Sequence, residues 1–270
     1  MIAIKENEFK QLTEYIKKNY GVDLTHKKNL IEGRLSNYLI EKGFDNFSEY
    51  FNSVLADRKG EELTVLINKL TTNYTFFMRE VNHFDFFRDK VLPNLAVNAR
   101  DKDLRLWSAG CSSGEEPYTL AMILSDYFQE GKALWDTKIL ATDISEKALE
   151  AAQKGIYSAE AVADIPASWK MRYFNKIDKE NYEISDKLKK EVIFRIFNLM
   201  QENFSFRRKF HVIFCRNVMI YFDNKTKANL INRFYECTEP GGYLFIGHAE
   251  SINREETSYK YVMPAVYRKI

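Results

Sequence analysis

The sequence predicts an α/β fold with an N-terminal all-helical domain and a small inserted antiparallel β-subdomain. Up to about residue 75 the apolar residues recur at helical spacing, and after about residue 94 short apolar runs alternate with helical stretches. Between 155 and 195 charged stretches, Gly155 and Pro166 interrupt this alternation. We therefore expect a helical domain over 1–75, a linker helix over 76–93 and a sheet domain over 94–270 that carries the insertion at 157–195.

The composition excludes several classes of protein before any motif is considered. The 270 residues are 45% hydrophobic and 29% charged, which excludes a disordered or collagen-like chain. A net charge of +2 argues against a protein whose main task is to bind nucleic acid. The three cysteines match no zinc spacing, and no apolar run is long enough to span a bilayer. We expect a cytoplasmic protein that is not embedded in a membrane and binds no nucleic acid.

Four amphipathic stripes predict the helices of the N-terminal domain. Gly21 and Gly43 supply C-terminal stops for the first two helices, and Ser48 is a candidate N-cap for the third. An aromatic-rich linker helix is expected to lie before Pro93. The stripes are Phe9, Leu12, Ile16 and Tyr20; Leu30, Leu35, Tyr38 and Leu39; Tyr50, Phe51, Val54 and Leu55; and Leu63, Leu66, Ile67 and Leu70.

Short apolar runs in the second half predict a parallel sheet with crossover helices. The runs cover 104–109, 138–142, 210–215 and 242–247, and the helical stretches between them cover 115–130, 145–153 and 225–237. The last residues, 259–269, alternate enough to predict an antiparallel hairpin at the sheet edge. Ligands of such sheets bind beyond the carboxyl ends of the strands, so the residues after each run are site candidates.

The first candidate strand leads into a turn that contains Gly110 and Gly114. The spacing differs from the Gly-x-Gly-x-x-Gly pattern of dinucleotide sites. Glu115 and Glu116 place negative charge where an NAD phosphate needs positive potential, which suits instead a cofactor with a sulfonium and an ammonium group. An ordinary strand–helix turn, with acidic residues that stabilise the helix dipole, explains the local pattern equally well.

Polar residues follow three further strands. Asp143 ends the second strand, where a carboxylate can accept hydrogen bonds from ribose hydroxyls, although a helix N-cap explains this residue alone about as well. Asn198 can read the Watson–Crick edge of adenine. Asn217, after Arg216, is either an active-site residue or a turn residue. The glycine turn and Asp143, on successive strands, together favour a nucleoside ligand.

The segment 70–80 is unusual because three threonines and an asparagine precede two phenylalanines. This pattern favours neither a helix nor a core strand. Polar groups at this density beside an aromatic pair predict a wall of a ligand site, and a capped helix start is the alternative.

Taken together, these residues resemble the CheR-type chemotaxis receptor methyltransferases over nearly the whole chain. The joint occurrence of six strings in one order is far more specific than any single turn. The strings are Thr71-Thr-Asn-Tyr-Thr-Phe-Phe-Met-Arg-Glu80, Trp107-Ser-Ala-Gly-Cys-Ser-Ser-Gly-Glu-Glu-Pro-Tyr118, Ala141-Thr-Asp-Ile144, Asn198-Leu199, Phe214-Cys-Arg-Asn-Val-Met-Ile-Tyr-Phe222 and Gly247-His-Ala-Glu-Ser251. The resemblance implies a Rossmann-like S-adenosylmethionine-dependent methyltransferase sheet.

The resemblance also implies an activity and a set of site residues. A methyl group would pass from S-adenosylmethionine, leaving S-adenosylhomocysteine, to glutamate side chains in the signalling helices of methyl-accepting chemotaxis receptors. Arg79 and Tyr221 would lie nearest the transferred methyl. The implied cofactor contacts are Asn73, Thr75, Arg79, Glu115, Asp143, Asn198, Leu199, Arg216 and Asn217. The insertion, which docks a receptor's C-terminal peptide in some members, has a short loop without glycine at 175–181, which predicts a member independent of that peptide.

Receptor helices with methylation sites are acidic, so the resemblance also implies a basic surface. Lys27, Lys28 and Arg34 on the second predicted helix are the candidates, although an ordinary solvated helix face explains these charges as well. The four histidines have no metal-ligand partner at useful spacing, so we expect no metal. We expect a monomer. Two alternative functions are a module that senses S-adenosylmethionine or S-adenosylhomocysteine without turnover, and a methyltransferase for another protein or a small molecule.

Overall fold

The computed structural model describes residues 2–57, 60–70, 75–99 and 101–270. The chain folds into two compact units. One, here called the helical unit, comprises Met1–Tyr74 together with Tyr221–Thr226. The other, here called the sheet unit, comprises Thr75–Ile220 together with Lys227–Ile270.

The helical unit contains four helices within its described residues. They are α1 (Glu6–Tyr20), α2 (Lys28–Lys42), α3 (Phe47–Ala56) and α4 (Glu61–Leu70). As predicted, Gly21 and Gly43 follow α1 and α2 in the left-handed conformation. The predicted cap of α3 is wrong: Asn46 caps this helix by accepting a hydrogen bond from the Glu49 amide, whereas Ser48 lies inside the first turn.

A run of consecutive helical segments opens the sheet unit. These segments are α5 (Val81–Phe86), a π-helical turn (Phe87–Val91) and α6 (Leu92–Asn98). The helical conformation therefore continues past Pro93, contrary to the prediction that the helix lies before it. Proline is tolerated here because Pro93 falls in the first turn of α6, just after the wider π-helical turn.

The rest of the sheet unit alternates strands and helices as predicted. Its remaining elements are β1 (Leu106–Ala109), α7 (Glu115–Phe128), β2 (Ile139–Asp143), α8 (Glu146–Lys154), β3 (Ile156–Ser158), α9 (Ala167–Tyr173), β4 (Phe174–Lys176), β5 (Asn181–Ile184), α10 (Asp186–Lys189), β6 (Val192–Ile196), β7 (Phe210–Cys215), α11 (Asn224–Cys237), β8 (Thr238–Ile246), β9 (Lys260–Met263) and β10 (Val266–Arg268). Two short 3₁₀ turns, Gln129–Leu134 and Met219–Tyr221, complete the list. The first three residues of α11 belong to the helical unit.

Seven strands form the main sheet in the order β6-β2-β1-β7-β8-β10-β9. The first five are parallel, and the C-terminal hairpin β9–β10 is antiparallel, as the sequence predicts. The chain order reverses between β1 and β7, which makes this the switch point of the sheet. The rings of Phe214 and Phe245, on neighbouring strands, stack 4.3 Å apart in the core.

The inserted subdomain is a separate three-stranded antiparallel sheet in the order β3-β5-β4. Its strands extend from Ile156 to Ile184, and β6, at Val192–Ile196, already belongs to the main sheet. Within the described part of the chain, no helix combines the length and apolar composition that crossing a bilayer needs.

Candidate functional site: a polar edge at the switch point

The sheet order brings four of the predicted polar segments to one edge. Strands β6, β2, β1 and β7 are adjacent and parallel, so the segments that follow them leave the sheet side by side. These segments hold Asn198, Asp143, Glu115 and the Arg216–Asn217 pair. The amide of Phe197 bonds the Asp143 carbonyl at 3.0 Å, which keeps the chain aligned with β2 up to Asn198.

The turn after β1 is tied to the end of β2 through Asp143. One carboxylate oxygen of Asp143 accepts the Ser112 amide at 2.8 Å, and the other accepts the Ser145 amide at 2.9 Å. A carboxylate has about four lone-pair sites, so Asp143 keeps acceptor capacity for ligand hydroxyls. Gly114 permits the close packing of this turn, because its φ is +97° and a Cβ would lie 2.9 Å from the Ala152 methyl.

Arg216 is the centre of a buried ion network. Its side chain is 2% exposed, and its guanidinium bonds the carboxylates of Glu80 and Glu116, each at 3.1 Å. The same guanidinium also donates to the Arg79 carbonyl, and it lies over the Phe84 ring, 5.1 Å from the centroid. The network therefore joins the 79–84 segment to the residues after β7 and to the start of α7.

Asn217 is held by two glutamates that the sequence analysis assigned no role. Its amide donates to Glu250 at 3.0 Å, and its side-chain amide donates to Glu80 at 3.3 Å. Gly247 donates to the same Glu250 oxygen at 2.6 Å. Gly247 must lack a side chain, because a Cβ would lie 2.5 Å from the side-chain nitrogen of Asn217. Glu250 lies in the string 247–251, and the family resemblance of this string is the one sequence signal that points to it.

Strained backbone is concentrated around this edge. Of the seven non-glycine residues with positive φ in the described chain, four lie in these segments. They are Met78, Glu80, Ser112 and Asn217. Such conformations cost roughly 1–3 kcal/mol each and persist where the surroundings fix them, most often at functional sites. The prediction that the unusual segment before residue 80 forms part of a ligand site is consistent with this strain.

Buried carboxyl groups give the edge its electrostatic character. Burial raises the pKa of Asp143, Glu115, Glu116 and Glu250 above the ordinary values. Burial also acts to raise the pKa of Glu80, but the Arg216 charge and the hydrogen bonds that Glu80 accepts outweigh it and leave the pKa lowered. One arginine, Arg216, thus faces several carboxyl groups. Ionisation of all these groups is unfavourable when they are buried, and a positively charged ligand makes it more favourable. The edge fits a sulfonium and ammonium group, and Asp143 fits a ribose.

Two histidines that are 165 positions apart in sequence meet beside Glu80. The rings of His83 and His248 lie 4.5 Å apart, and His83 Nδ1 lies 3.3 Å from the Glu80 carboxylate. One potential ligand atom from each of these three residues falls within a 4.8 Å cluster. Because the Glu80 carboxylate already bonds Arg216 and Asn217, the cluster is an extension of the polar network. Burial and the nearby Arg216 charge lower the pKa of His83 to about 4.

The other predicted site residues fall outside this network. Thr75 and Leu199 belong to the sheet unit, where Leu199 is buried, whereas Asn73 lies outside the described residues. Tyr221 is part of the helical unit. Lys28 of α2 bonds Glu6 at 2.8 Å and Lys27 is exposed, but Arg34 donates to the Lys69 and Leu70 carbonyls at the end of α4. Arg34 thus caps a helix C-terminus, where a cation stabilises the dipole.

The topology and the acidic switch-point edge are those expected of a Rossmann-like, S-adenosylmethionine-dependent methyltransferase. The family model described as the CheR methyltransferase SAM binding domain matches residues 73–267. The model of the CheR methyltransferase all-alpha domain matches residues 7–71. The chain belongs to the CheR methyltransferase family, as the sequence resemblance predicts.

Relatives match over almost the full length. A chemotaxis protein methyltransferase of Borreliella burgdorferi is 45% identical, with 99% of this chain and 96% of the relative covered. The chemotaxis protein methyltransferase of Escherichia coli is 33% identical, with 98% and 92% covered. A probable chemotaxis protein methyltransferase of Rhizobium etli is 35% identical, with 90% and 95% covered. These matches support methylation with S-adenosylmethionine in chemotaxis.

Proposed function

We propose that the protein transfers the methyl group of S-adenosylmethionine to the γ-carboxylate of specific glutamates in chemoreceptor signalling helices. The observation that carries the proposal is the match of both domains, over nearly the whole chain, to chemotaxis protein methyltransferases. The partners are methyl-accepting receptors, the protein acts in the cytoplasm as a monomer, and S-adenosylhomocysteine is the product. No metal takes part in the proposed reaction.

The reaction requires little of the protein beyond the positioning of the substrate carboxylate and the methyl group. A glutamate side chain with a pKa of about 4.3 is ionised at pH 7, so its attack needs no general base. The sulfonium of bound S-adenosylmethionine supplies an activated methyl group. The residues of the chain must align the carboxylate oxygen with that methyl and exclude water, which is catalysis by orientation. Arg79 and Tyr221 are the proposed catalytic residues, and Arg79 holds a carboxylate of the cofactor or shares it with the substrate.

The proposed cofactor contacts are those that the family resemblance implies, and the polar edge supports part of the set. Asp143 accepts the ribose hydroxyls, Asn198 and Leu199 contact the adenine, and Glu115 faces the cationic end of the cofactor. Arg216 and Asn217 bind from the β7 side, with Asn73, Thr75 and Arg79 completing the set. The support for this assignment is that Asp143, Glu115, Arg216 and Asn217 follow adjacent parallel strands.

The proposed receptor contact is the basic end of α2. Lys27 and Lys28 attract the acidic receptor helix, chiefly by raising the rate of association. Arg34 contributes to the same positive potential, but its bonds to the end of α4 make it unsuitable for a test by charge reversal, since such a change also uncaps a helix. Lys27 and Lys28 are therefore the residues to change.

The direct test incubates the protein with methyl-labelled S-adenosylmethionine and membranes that contain chemoreceptors. Membranes without receptors, and receptors whose methylated glutamates are replaced by alanine, are the controls. The proposal expects label on the receptor that is released by mild base, because carboxyl methyl esters are base-labile. Base-stable label would indicate a different acceptor chemistry, and cofactor binding with no label would indicate a sensor; either result contradicts the proposal.

A further inference from the structure

A short segment from the second half of the sequence folds with the N-terminal helices. Tyr221–Thr226 follows β7 and the Arg216–Asn217 pair in the chain, yet it belongs to the helical unit. Its first residue is the tyrosine that the proposed function places next to the transferred methyl. The contacts that hold this segment therefore decide where that tyrosine lies.

Backbone contacts join the segment to the residues between α1 and α2. The Asp23 amide donates to the Tyr221 carbonyl at 2.7 Å, and Val22 forms an antiparallel β-bridge with Phe222. Both Val22 and Phe222 are buried, with 5% and 8% of their surfaces exposed. The backbone of Tyr221 is thus attached to the helical unit by one strand-like contact.

One lysine connects the two sides of this contact. The ammonium of Lys17, in the last turn of α1, lies 2.7 Å from the Asp23 carboxylate and 2.8 Å from the Asp223 carboxylate. Its hydrogen bonds lower the pKa of Asp23 to about 2 and also lower the pKa of Asp223. Both carboxylates therefore stay charged at neutral pH, and without the cation they would repel each other across the bridge.

The stability effect of this cluster is small, because all three side chains are partly exposed and solvent screens ion pairs at the surface. Its geometric effect is larger. Lys17 is bonded to the residue after Val22 on one side and to the residue after Phe222 on the other, so it fixes the two strands of the bridge relative to each other.

We infer that Lys17 is a positioning residue for methyl transfer, which acts on Tyr221 through its ion pairs with Asp23 and Asp223. The inference rests on the proposed catalytic role of Tyr221. It assigns Lys17 a task other than attraction of the receptor, which is to hold a residue of the reaction. Replacement of Lys17 should slow the chemical step without weakening cofactor binding, because the cofactor contacts lie in other segments.

The test compares Lys17→Met with Lys18→Met. Lys18 is the next residue of α1, is exposed, and carries the same charge, so its replacement controls for any loss of attraction to the receptor. We expect Lys17→Met to lower kcat about 10-fold at saturating receptor, since a displacement of about 1 Å can cost up to about 100-fold. The Kd for S-adenosylhomocysteine should stay within about two-fold, and Lys17→Arg should restore most of kcat.

Hydrogen exchange supplies a readout that needs no methyl transfer. Amides in the peptide 219–226 should exchange faster in Lys17→Met than in the wild type, and Lys18→Met should match the wild type. Unchanged exchange, an unchanged kcat, or an equal loss of kcat in Lys18→Met would each overturn the inference. A wild-type protein that methylates no receptor would instead defeat the proposed function, while the exchange data would still decide whether Lys17 holds the segment.

Discussion

Charged side chains behave in opposite ways in two regions of the molecule, the Arg216 network of the sheet unit and the surface of α2 in the helical unit. In the sheet unit, Arg216 is almost fully buried between Glu80 and Glu116, and each of these three side chains has at least two polar partners. In the helical unit, Lys28 pairs with Glu6 at the surface. Buried ion pairs carry a large desolvation cost, whereas solvent screens surface pairs so that they contribute little to stability.

The difference shows where the function is concentrated. A folded protein gains little stability from a buried network that hydrophobic residues could replace, so its presence at the switch point indicates binding or catalysis. The surface charges can change without loss of the fold, and they act on association. Substitutions at the polar edge of the sheet unit should therefore alter turnover and affinity strongly, and substitutions of the exposed charges of α2 should alter rates weakly.

The largest effect is expected for Arg79→Ala. Its side chain is the proposed holder of a carboxylate, so its loss should lower kcat about 100-fold through misorientation. The Arg79 carbonyl, which accepts from Arg216, stays in place. Labelled methyl transfer to receptors measures the change, and Arg88→Ala, which removes an exposed arginine paired with Asp85 and Asp89, is the control. Near-normal turnover in Arg79→Ala would refute its catalytic role.

Asp143→Ala should have the next largest effect, on cofactor affinity. Hydrogen bonds to a charged group are worth about 1.5–3 kcal/mol, so we expect Kd for S-adenosylmethionine to rise about 30-fold. Asp143→Asn, which keeps one acceptor oxygen for the Ser112 or Ser145 amide, should be intermediate. Titration calorimetry measures both. Equal affinities in the wild type and Asp143→Ala would show that the nucleoside lies elsewhere.

The buried His83 should make folding stability depend on pH. Its pKa is about 4 in the folded protein against 6.5 for an ordinary histidine, with Arg216, His248 and Glu80 as its charged or titratable neighbours. Below pH 6.5 the unfolded chain binds a proton that the folded chain does not, so stability falls between pH 6.5 and 4, by about 3 kcal/mol at most. Above pH 6.5 this contribution is constant.

Urea unfolding at several pH values tests this dependence. His83→Asn cannot titrate, so its stability should fall less steeply than that of the wild type between pH 6.5 and 4, whatever its stability at pH 7. Carboxyl groups with raised pKa act in the opposite direction in both proteins, so the difference between the two curves isolates His83. Parallel curves would mean that His83 takes up a proton in the folded state.

The smallest effect belongs to the surface of α2. Reversal of charge in Lys27→Glu with Lys28→Glu should slow receptor methylation about three-fold at low salt and have no effect near 1 M salt, where screening is strong. Lys10→Glu, a single charge reversal on the exposed side of α1, is the control. If the double variant and the control have the same rate at low salt, α2 does not attract the receptor.

The sequence predicts which residues gather at the carboxyl edge of the sheet, because these residues directly follow strands. A buried strand has a simple pattern, and parallel strands end at one edge, so Asp143 and Asn217 could be assigned without knowledge of any distance. Glu80 and His83 could not be assigned in this way. Their partners Asn217 and His248 lie more than 130 positions away, and nothing in the local pattern of either segment indicates which distant segment it meets.

Local rules also fail where two candidates are close together. Asn46 and Ser48 are both good N-cap residues, and only the hydrogen bond to the Glu49 amide shows which one starts α3. Arg34 has the sequence pattern of an exposed charge. It caps the C-terminal end of α4, which lies some 35 positions further along the chain. Such assignments depend on tertiary contacts that spacing does not encode.

The central claim is that the carboxyl ends of β6, β2, β1 and β7 bind S-adenosylmethionine. Titration calorimetry of the folded protein with S-adenosylmethionine, and separately with S-adenosylhomocysteine, tests it most directly. The account predicts saturable binding of one molecule per chain for both compounds, weakened by Asp143→Ala. The absence of any saturable binding of either compound to well-folded protein would contradict it.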